Sequence, residues 1–184
     1  MIYLIAGRGR SGKNTFGTYL ASELEKRGRK VCTIELMRTL KGYCRDYFGW
    51  DGKDETKPRD LLQKLGTEII RENLNMPMFH INRLLLDIEV LSHFFDDFIV
   101  PDVRFPLEIE EIKKTKSAVS IHITREDIDS VSNLTEEQKA HITETALNDF
   151  QDYDYEIVNE RLEQLKKDAE KVVREVENNE ENDK

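Results

Sequence analysis

A glycine-rich run near the start of the chain, GRGRSGKNT at residues 7–15, restricts the possible folds more than any other feature. It fits the pattern G-x-x-x-x-G-K and stands between an apolar run at residues 2–6 and a helical pattern at residues 15–27. Glycines let backbone N–H groups turn inward around a phosphate, and the start of a helix adds partial positive charge there. We therefore interpret the run as a phosphate-binding loop between a strand and a helix, rather than as a chance glycine-rich turn.

The loop supplies the candidate nucleotide-binding residues. Lys13 is expected to reach the β- and γ-phosphates, as the lysine of this pattern does. The next position is usually a Ser or Thr that binds Mg²⁺, but here it is Asn14, with the hydroxyl of Thr15 one residue later. The same Gly-Lys-x-Thr form occurs in adenylate-kinase-like enzymes, so we expect phosphates, water and a carboxylate to hold Mg²⁺. The candidate set is Gly7, Gly9, Arg10, Ser11, Gly12, Lys13, Asn14 and Thr15.

Length and charge exclude several classes of protein. The chain has 184 residues, which suits one domain, and its net charge of −9 gives no general attraction to nucleic acids or anionic membranes. No apolar run approaches the ~20 residues of a membrane helix, and the apolar start lacks the charged region of a signal peptide. Cys32 and Cys44 have no metal or redox spacing, which favours reduced thiols in a cytoplasmic protein. We expect neither a nucleic-acid polymer nor a membrane as a partner, and both a monomer and a homodimer remain open.

Apolar runs alternate with helical patterns along the chain, as in βαβ units, which predicts an α/β fold with a mostly parallel sheet. The predicted strands lie at residues 2–6, 31–34, 98–100, 118–123 and 155–158, and the predicted helices at 15–27, 36–48, 78–92 and 160–176, with two more that start at Pro58 and Pro106. Residues 125–148, called the lid segment below, are polar and irregular and are expected to form a mobile flap. The acidic tail from residue 177 has no apolar anchor, and we expect it to be disordered.

Charged residues follow the predicted strand at residues 98–100. Ligands of open α/β sheets bind at the carboxyl ends of the strands, where Asp102 is expected. Asp102 is a candidate for holding Mg²⁺-bound water or accepting a proton, and Arg104 for binding a phosphate with its planar fork. Arg125, at the start of the lid segment, is a candidate for neutralising a transferred phosphoryl group. The alternatives are a turn acid paired with an arginine, and a solvated loop arginine.

Two predicted helices carry residues suited to binding a second phosphorylated molecule. On each of them, polar or basic residues recur every four positions, so each set is expected to share one helix face. An ordinary polar surface is the alternative for both sets. The two sets are Lys41 with Arg45, and Arg59, Gln63, Thr67 and Arg71.

The segment HITE at residues 141–144 contains two potential metal ligands, His141 and Glu144. No third ligand lies nearby at a suitable spacing, and His122 is remote from any acidic cluster in the sequence, so a structural zinc site is disfavoured. We expect instead that this segment, His141 included, has a hydrogen-bonding role in ordering the loop.

Five short motifs follow one another along the chain. They are SGKNT at residues 11–15, LLQKLGTE at 61–68, IVPDVR at 99–104, HITE at 141–144 and DYEIVN at 154–159. Together they resemble deoxynucleoside monophosphate kinases of the phage type, and the resemblance covers nearly the whole chain up to about residue 165. Residues 143–165 are also similar to animal phosphomevalonate kinases, which share that fold.

The resemblance implies a three-layer α/β/α kinase fold of the P-loop type with a five-stranded parallel sheet, formed by residues 1–165 as a single domain. Acceptor-binding helices would lie at about residues 36–92 and a lid at 125–148, followed at 166–184 by a charged helix end and a disordered tail. The adenine would lie near Asn159, for which a helix N-cap is the alternative. The residues implied on the acceptor side are Arg59, Gln63, Thr67, Arg71 and Arg104.

The resulting hypothesis is ATP- and Mg²⁺-dependent phosphoryl transfer to a small phosphorylated acceptor, a deoxynucleoside monophosphate. Such catalysis relies on positioning and electrostatics and needs no covalent intermediate. Two alternatives stay open: a kinase for another small phosphate such as phosphomevalonate, and a nucleotide-binding regulatory protein without turnover. Contact with a base would favour the nucleotide acceptor, and the candidates for it are Tyr43, Tyr47, Trp50 and Phe79.

Overall fold

A parallel sheet of five strands forms the centre of the computed structural model, which describes residues 1–126 and 135–182. Its strands, β1 to β5 in chain order, are Ile2–Ala6, Val31–Thr33, Asp97–Val103, Ala118–Thr124 and Tyr155–Val158. Their order in the sheet is β2-β3-β1-β4-β5, and every neighbouring pair is parallel. The predicted five-stranded parallel sheet is confirmed, and the glycine-rich run follows its central strand.

Helices connect the strands, as the alternating pattern predicts. The α-helices, α1 to α8 in chain order, are Lys13–Lys26, Arg38–Phe48, Arg59–Gln63, Phe79–Leu91, Pro106–Thr115, Glu136–Ala140, Ile142–Thr145 and Leu162–Asn182, and a π-helix, Lys64–Asn73, directly follows α3. Pro106 is the first residue of α5, where its fixed φ and missing N–H are tolerated. Within the two described ranges, no helix combines the length and the apolar character needed to cross a bilayer.

Helices cover both faces of the sheet, which gives the predicted three layers. All five residues of β1 are buried, and they alternate between two apolar clusters. Tyr3 and Ile5 face the cluster formed with α1 and α8, whereas Ile2 and Leu4 face the cluster formed with α4 and α5. Because β1 is buried on both sides, the loop that follows it has a rigid base.

The pairing of β1 with β3 is irregular near the end of β3. Leu4 is opposite Val100 but Ala6 is opposite Val103, so β3 has one extra residue at this point. Pro101, which has no N–H to donate, lies in this stretch together with Asp102. The strand thereby continues to Val103, beyond its predicted end at residue 100, and places Asp102 beside the end of β1.

The helix that begins after Pro58 differs from its prediction, because it changes from α to π after Gln63. Hydrogen bonds of a π-helix close from residue i to residue i+5, so side chains four apart no longer lie above one another. The buried residues of the π-helix are Gly66, Thr67 and Ile70. Four apolar residues of the same region are only partly buried, and these are Leu61, Leu62, Leu65 and Ile69.

The last helix reaches into the predicted tail. Ala169 and Val173 of α8 lie in the core, and the helix continues to Asn182. Glu177 forms an ion pair with Arg27 at the end of α1. The prediction of disorder from residue 177 is therefore wrong as far as Asn182, because a charge pair provides the anchor that apolar residues do not. Residues 183–184 lie outside the described residues.

The lid segment contains more regular structure than predicted. Two short helices, α6 and α7, occupy most of residues 135–145. The hydroxyl of Thr135 accepts a hydrogen bond from the backbone N–H of Gln138 (3.2 Å), which caps α6. The side-chain amide of Gln138 donates to Asp60 of α3 (2.6 Å), so α6 contacts the predicted acceptor side. Residues 127–134 of the predicted flap lie outside the described residues.

Candidate active site

The phosphate-binding loop requires glycine at two positions. It leaves the carboxyl end of β1 and leads into α1, with φ +140° at Gly7 and φ +105° at Gly12. Residues other than glycine rarely adopt such positive φ angles. A Cβ at Gly7 would collide with the carbonyl oxygen of Ile123, and one at Gly12 with the side-chain amide of Asn159. The loop therefore lies directly against β4 and the connection between β5 and α8.

Lys13 is buried at the start of α1 and points back into the loop. Its Nζ donates hydrogen bonds to the carbonyl oxygens of Gly7 (2.8 Å) and Arg8 (2.6 Å), which leaves one of its three protons. Burial lowers the pKa of Lys13 and the like charge of Arg104 lowers it further, while Glu144 acts in the opposite direction. An anionic ligand would stabilise the charged form of this side chain.

Further donors at the loop suit an anion. The Oγ of Ser11 is buried and has no hydrogen-bond partner among the described residues. Lys13, Asn14 and Thr15 form the first turn of α1, where backbone N–H groups have no acceptor within the helix. A buried hydroxyl beside the start of a helix fits the phosphates of a nucleotide.

Asp102 holds the segment that leads into α2. Its two carboxylate oxygens accept hydrogen bonds from the backbone N–H groups of Leu36 (2.9 Å) and Met37 (3.0 Å). Burial raises the pKa of Asp102 and Glu35 raises it further, although the two N–H groups oppose this. Each oxygen keeps a free lone pair, so the carboxylate fits a role in holding Mg²⁺ or its water.

Arg104 extends from the end of β3 to the phosphate-binding loop. Its Nη1 lies 3.3 Å from the carbonyl oxygen of Gly7 and 2.9 Å from Oε1 of Glu144. Its backbone N–H donates to the buried carboxylate of Glu108 (2.7 Å). Arg104 and Lys13 therefore donate to the same carbonyl oxygen, so the two cations lie close together at the loop.

Glu144 is the main residue at the loop that the sequence analysis did not assign to the site. Its Oε2 accepts a hydrogen bond from the backbone N–H of Gly9 (2.8 Å), while its Oε1 pairs with Arg104. Its side chain is 10% exposed. The HITE motif marks this position, and its predicted loop-ordering hydrogen bonds include those of Glu144, but nothing in the motif predicts the contact with Gly9.

The predicted polar face of Arg59, Gln63, Thr67 and Arg71 does not form as a unit. Thr67 is buried, and Arg71 pairs with Glu108 (2.5 Å) while its guanidinium lies 4.0 Å from the centre of the Phe105 ring. The change to a π-helix turns these two residues toward the core, because their spacing of four applies to an α-helix. Arg59 and Gln63 lie on α3 and are partly exposed. Acceptor binding by the four residues stays a prediction.

Cations gather where the chain enters α3. Burial lowers the pKa of Lys57, and the like charges of Lys41 and Arg59 lower it further. Lys41 pairs with Glu35 (2.5 Å). Lys57 was missed in the sequence, although it directly precedes the proline that marks the start of this helix. Glu35 and Asp54, which lies 3.9 Å from Lys57, offset part of the repulsion among these cations. Acceptor binding at this point stays a prediction.

Asn159 contacts the loop itself. Its side-chain amide donates to the carbonyl oxygen of Ser11 (2.9 Å), and its backbone N–H donates to Thr124 (2.8 Å). The alternative of a helix N-cap is wrong, because α8 begins three residues later, at Leu162. Adenine binding near Asn159 stays a prediction.

The lid segment borders a cleft beside the phosphate-binding loop. Arg125 lines it together with Gly7, Arg104 and Glu144. All four predicted catalytic residues lie at the carboxyl edge of the parallel sheet, since Lys13 follows β1, Asp102 and Arg104 lie at the end of β3, and Arg125 follows β4. The ring of His141 accepts a hydrogen bond from the backbone N–H of Thr143 (3.2 Å), which confirms its predicted ordering role. Among the described residues, no group of three or more His, Cys, Asp or Glu side chains is placed to hold a metal ion.

Comparisons with known proteins bear on this arrangement. A family model described as deoxynucleotide monophosphate kinase matches residues 48–169, about two thirds of the chain. The sequence has no match among curated proteins. The matched range includes Asp102, Arg104, Glu144 and Asn159 but begins after the phosphate-binding loop, so the loop is evidence independent of the match.

Solved structures show a similar fold. The APS kinase of Mycobacterium tuberculosis in complex with AMPPNP and APS is 12% identical, with 96% of each chain covered and a TM-score of 0.53. The shikimate kinase of Aquifex aeolicus is 14% identical, with 97% of this chain and 98% of that chain covered and a TM-score of 0.49. The first likeness supports the three-layer kinase fold.

Proposed function

The chain belongs to the deoxynucleotide monophosphate kinase family, and from that premise we propose that it transfers the γ-phosphoryl group of ATP to a deoxynucleoside monophosphate. Its assignment as a P-loop kinase comes from the family and the fold, whereas the acceptor and the role of each residue are the proposal. In the proposed arrangement, acceptor-binding helices lie at about 36–92 and a lid at 125–148. The kinase domain extends beyond its predicted end at residue 165, because Ala169 and Val173 of α8 lie in its core.

One observation carries the proposal: the cations of Lys13 and Arg104 donate to the same carbonyl oxygen, that of Gly7. The transition state of phosphoryl transfer spreads negative charge over the oxygens of the transferred group. Two cations fixed at the end of the central strand are placed to stabilise that charge without rearrangement. Arg125, which lines the same cleft, is the proposed third cation.

The donor site is proposed to consist of the loop and the start of α1. Lys13 would bridge the β- and γ-phosphates, and the N–H groups of the first helical turn and the hydroxyl of Ser11 would bind phosphate oxygens. The N–H of Gly9, expected from the sequence to bind phosphate, is already bound by Glu144. Asp102 would hold Mg²⁺ together with the phosphates, and that ion supplies further positive charge when bound.

In the proposed reaction, an oxygen of the acceptor phosphate attacks the γ-phosphorus of ATP. The new P–O bond forms as the bond from the γ-phosphorus to the β–γ bridging oxygen breaks, and ADP leaves with that electron pair. The products are ADP and the deoxynucleoside diphosphate. Closure of the lid segment would exclude water, the competing acceptor.

The cations near α3 support an acceptor that carries a phosphate, and aromatic side chains of α2 support a base. Lys41, Lys57 and Arg59 are the proposed phosphate ligands. Tyr43 and Tyr47 of α2 lie with ring centres 6.1 Å apart, and Tyr47 is 77% exposed. An exposed aromatic side chain suits stacking on a nucleobase better than binding an aliphatic acceptor such as phosphomevalonate.

The test is a coupled assay of ADP release with ATP and Mg²⁺. The panel of acceptors holds the common ribo- and deoxynucleoside monophosphates together with phosphomevalonate, and the Lys13→Ala variant controls for contaminating kinases. Turnover with one or more deoxynucleoside monophosphates is expected. Turnover with phosphomevalonate alone would overturn the acceptor class, and ATP binding without turnover on any acceptor would indicate a regulatory protein.

A further inference from the structure

We propose that Glu144 is a positioning residue that fixes Arg104 at the phosphate-binding loop, a role that rests on the proposed function of that loop. The carboxylate binds both partners at once, through a different oxygen to each. Oε1 is 2.9 Å from Nη1 of Arg104, and Oε2 is 2.8 Å from the backbone nitrogen of Gly9. Glu144 therefore fixes the distance between the arginine and the loop.

Arg104 is held from two sides. Its backbone N–H is bound by Glu108, a buried carboxylate of α5, which fixes where the side chain starts. Its guanidinium, at the far end of a long flexible side chain, is bound by Glu144 and by the carbonyl oxygen of Gly7. The hydrogen bond to Gly7 is 3.3 Å long and its acceptor, a backbone carbonyl oxygen, is uncharged. The ion pair with Glu144 is therefore the stronger restraint.

Glu144 is itself well placed to act as a fixed point. It lies on α7, whose first turn is capped by the ring of His141 through a hydrogen bond from the N–H of Thr143 (3.2 Å). The neighbouring α6 is joined to α3 through Gln138 and Asp60. This part of the lid segment therefore contacts the acceptor side through one helix and the phosphate-binding loop through the next.

Charge explains why a carboxylate is needed at this point. Lys13 and Arg104 repel each other, and the negative charge of Glu144 offsets that repulsion at the loop. A neutral residue at position 144 would leave the two cations unbalanced before ATP binds. Arg104 is then expected to turn away from Lys13 toward solvent, and its alignment with the transferred group would be lost. Misplacement by about 1 Å is enough to cost about 100-fold in rate.

A different role for Glu144 makes the opposite prediction. A carboxylate bound to a loop N–H resembles a phosphate, so Glu144 would then compete with ATP and leave when the nucleotide binds. Its removal would strengthen ATP binding and leave turnover intact. A positioning residue that stays in place predicts weaker binding and slower turnover, because the arginine that it holds acts on the phosphates.

The experiment is a double-mutant cycle of Glu144→Gln and Arg104→Ala. For each of the four proteins, kcat and KM are measured with the best acceptor, and the Kd for ATP by calorimetry. Glu137→Gln, on the neighbouring α6 and exposed, is the matched control. Glu144→Gln alone is expected to lower kcat by about 10- to 100-fold and to raise the Kd for ATP by about threefold to tenfold. In the Arg104→Ala background, the same change is expected to cost less than about threefold, because the residue through which Glu144 acts is gone.

Equal losses in both backgrounds would overturn the proposal, and so would tighter ATP binding with undiminished kcat in Glu144→Gln. Failure of the proposed function is recognised separately, since the wild type would then transfer phosphate to no acceptor in the panel. In that case only the Kd for ATP is compared among the four proteins, and an equal rise in both backgrounds would overturn the proposal. Glu144→Asp, which keeps the charge, replaces the Gln variant in the cycle if that variant does not melt cooperatively.

Discussion

The side-chain amide of Asn159 donates a 2.9 Å hydrogen bond to the carbonyl oxygen of Ser11, which joins two segments 148 residues apart in the chain. The same amide occupies the space where a side chain at Gly12 would lie. The carbonyl oxygen of Ser11 thereby points toward Asn159. The conformation of the phosphate-binding loop thus depends on a residue near the other end of the fold.

Gly12→Ala should damage nucleotide binding more than the strain at a left-handed residue explains. The new Cβ meets Asn159, so the loop has to move. Gly28→Ala is the matched control, because Gly28 also has a positive φ (+79°) but nothing lies within 4 Å of its Cβ position. We expect Gly28→Ala to cost about 1 kcal/mol of stability with unchanged ATP affinity. For Gly12→Ala we expect at least about a tenfold rise in the Kd for ATP, measured by calorimetry; an unchanged Kd would contradict this account of the loop.

Lys13→Ala should lower kcat by about 100- to 1,000-fold while the fold stays intact, because a buried cation at the proposed phosphate site is removed. Its circular dichroism spectrum should match that of the wild type. Lys26→Ala, at the other end of α1 and exposed, is the control and should leave kcat unchanged. Near-normal turnover of Lys13→Ala would show that the lysine is wrongly assigned.

Arg71→Ala and Arg59→Ala should have different effects, although the sequence places both on one face. Removal of Arg71 leaves the buried carboxylate of Glu108 without its cation, which is expected to cost about 3–5 kcal/mol of stability. Removal of the partly exposed Arg59 should raise the KM for the acceptor with little change in stability. Chemical denaturation and steady-state kinetics of both variants check this. A stable Arg71→Ala protein with a raised acceptor KM would restore the role predicted from the sequence.

His80 should make stability depend on pH between about 4 and 6.5. Burial, with a smaller contribution from Arg71, lowers the pKa of His80 from 6.5 to about 4. The unfolded chain therefore takes up the proton first, so this contribution is complete above pH 6.5 and is lost as the pH falls toward 4. The full loss is about 3 kcal/mol, the free energy that corresponds to the difference between a pKa of 6.5 and one of about 4.

The His80→Leu variant tests that assignment by denaturation at pH 7 and pH 4.5. Neither ring nitrogen of His80 has a hydrogen-bond partner within the described part of the chain. The variant is therefore expected to be at least as stable as the wild type at pH 7, and to lose less stability on acidification. The control is His93→Leu, at an exposed position. Equal acid sensitivity of wild type and His80→Leu would exclude His80 as the cause.

The sheet and the phosphate-binding loop could be predicted because their signals are local. The loop has a fixed spacing of glycines and lysine, and β1, buried on both faces, shows as an uninterrupted apolar run. The ends of strands were harder to predict. β3 continues through Pro101 by means of an irregularity in its pairing with β1, and that irregularity is a property of two strands together.

The contacts within the site could not be predicted for the same reason. The partners in these contacts are far apart in the sequence, as in the pairs Asn159 with Ser11 and Glu144 with Gly9. No local pattern around one partner predicts its contact with the other. The failure at Arg71 has a different cause, since a spacing of four predicts a shared face only if the helix is α-helical. The anchor of the tail, the pair of Arg27 and Glu177, also depends on tertiary contact.

The π-helix at Lys64–Asn73 gives the predicted acceptor side a tolerance for chain length that an α-helix lacks. A π-helix holds more residues per turn than an α-helix, so it can lose one residue by closing as an ordinary α-helical turn. Each residue of an α-helix corresponds to a rotation of about 100°, so the same loss there would turn every side chain beyond it by that angle. In-frame loss of a single codon between Lys64 and Arg71 is therefore expected to leave Arg71 beside Glu108.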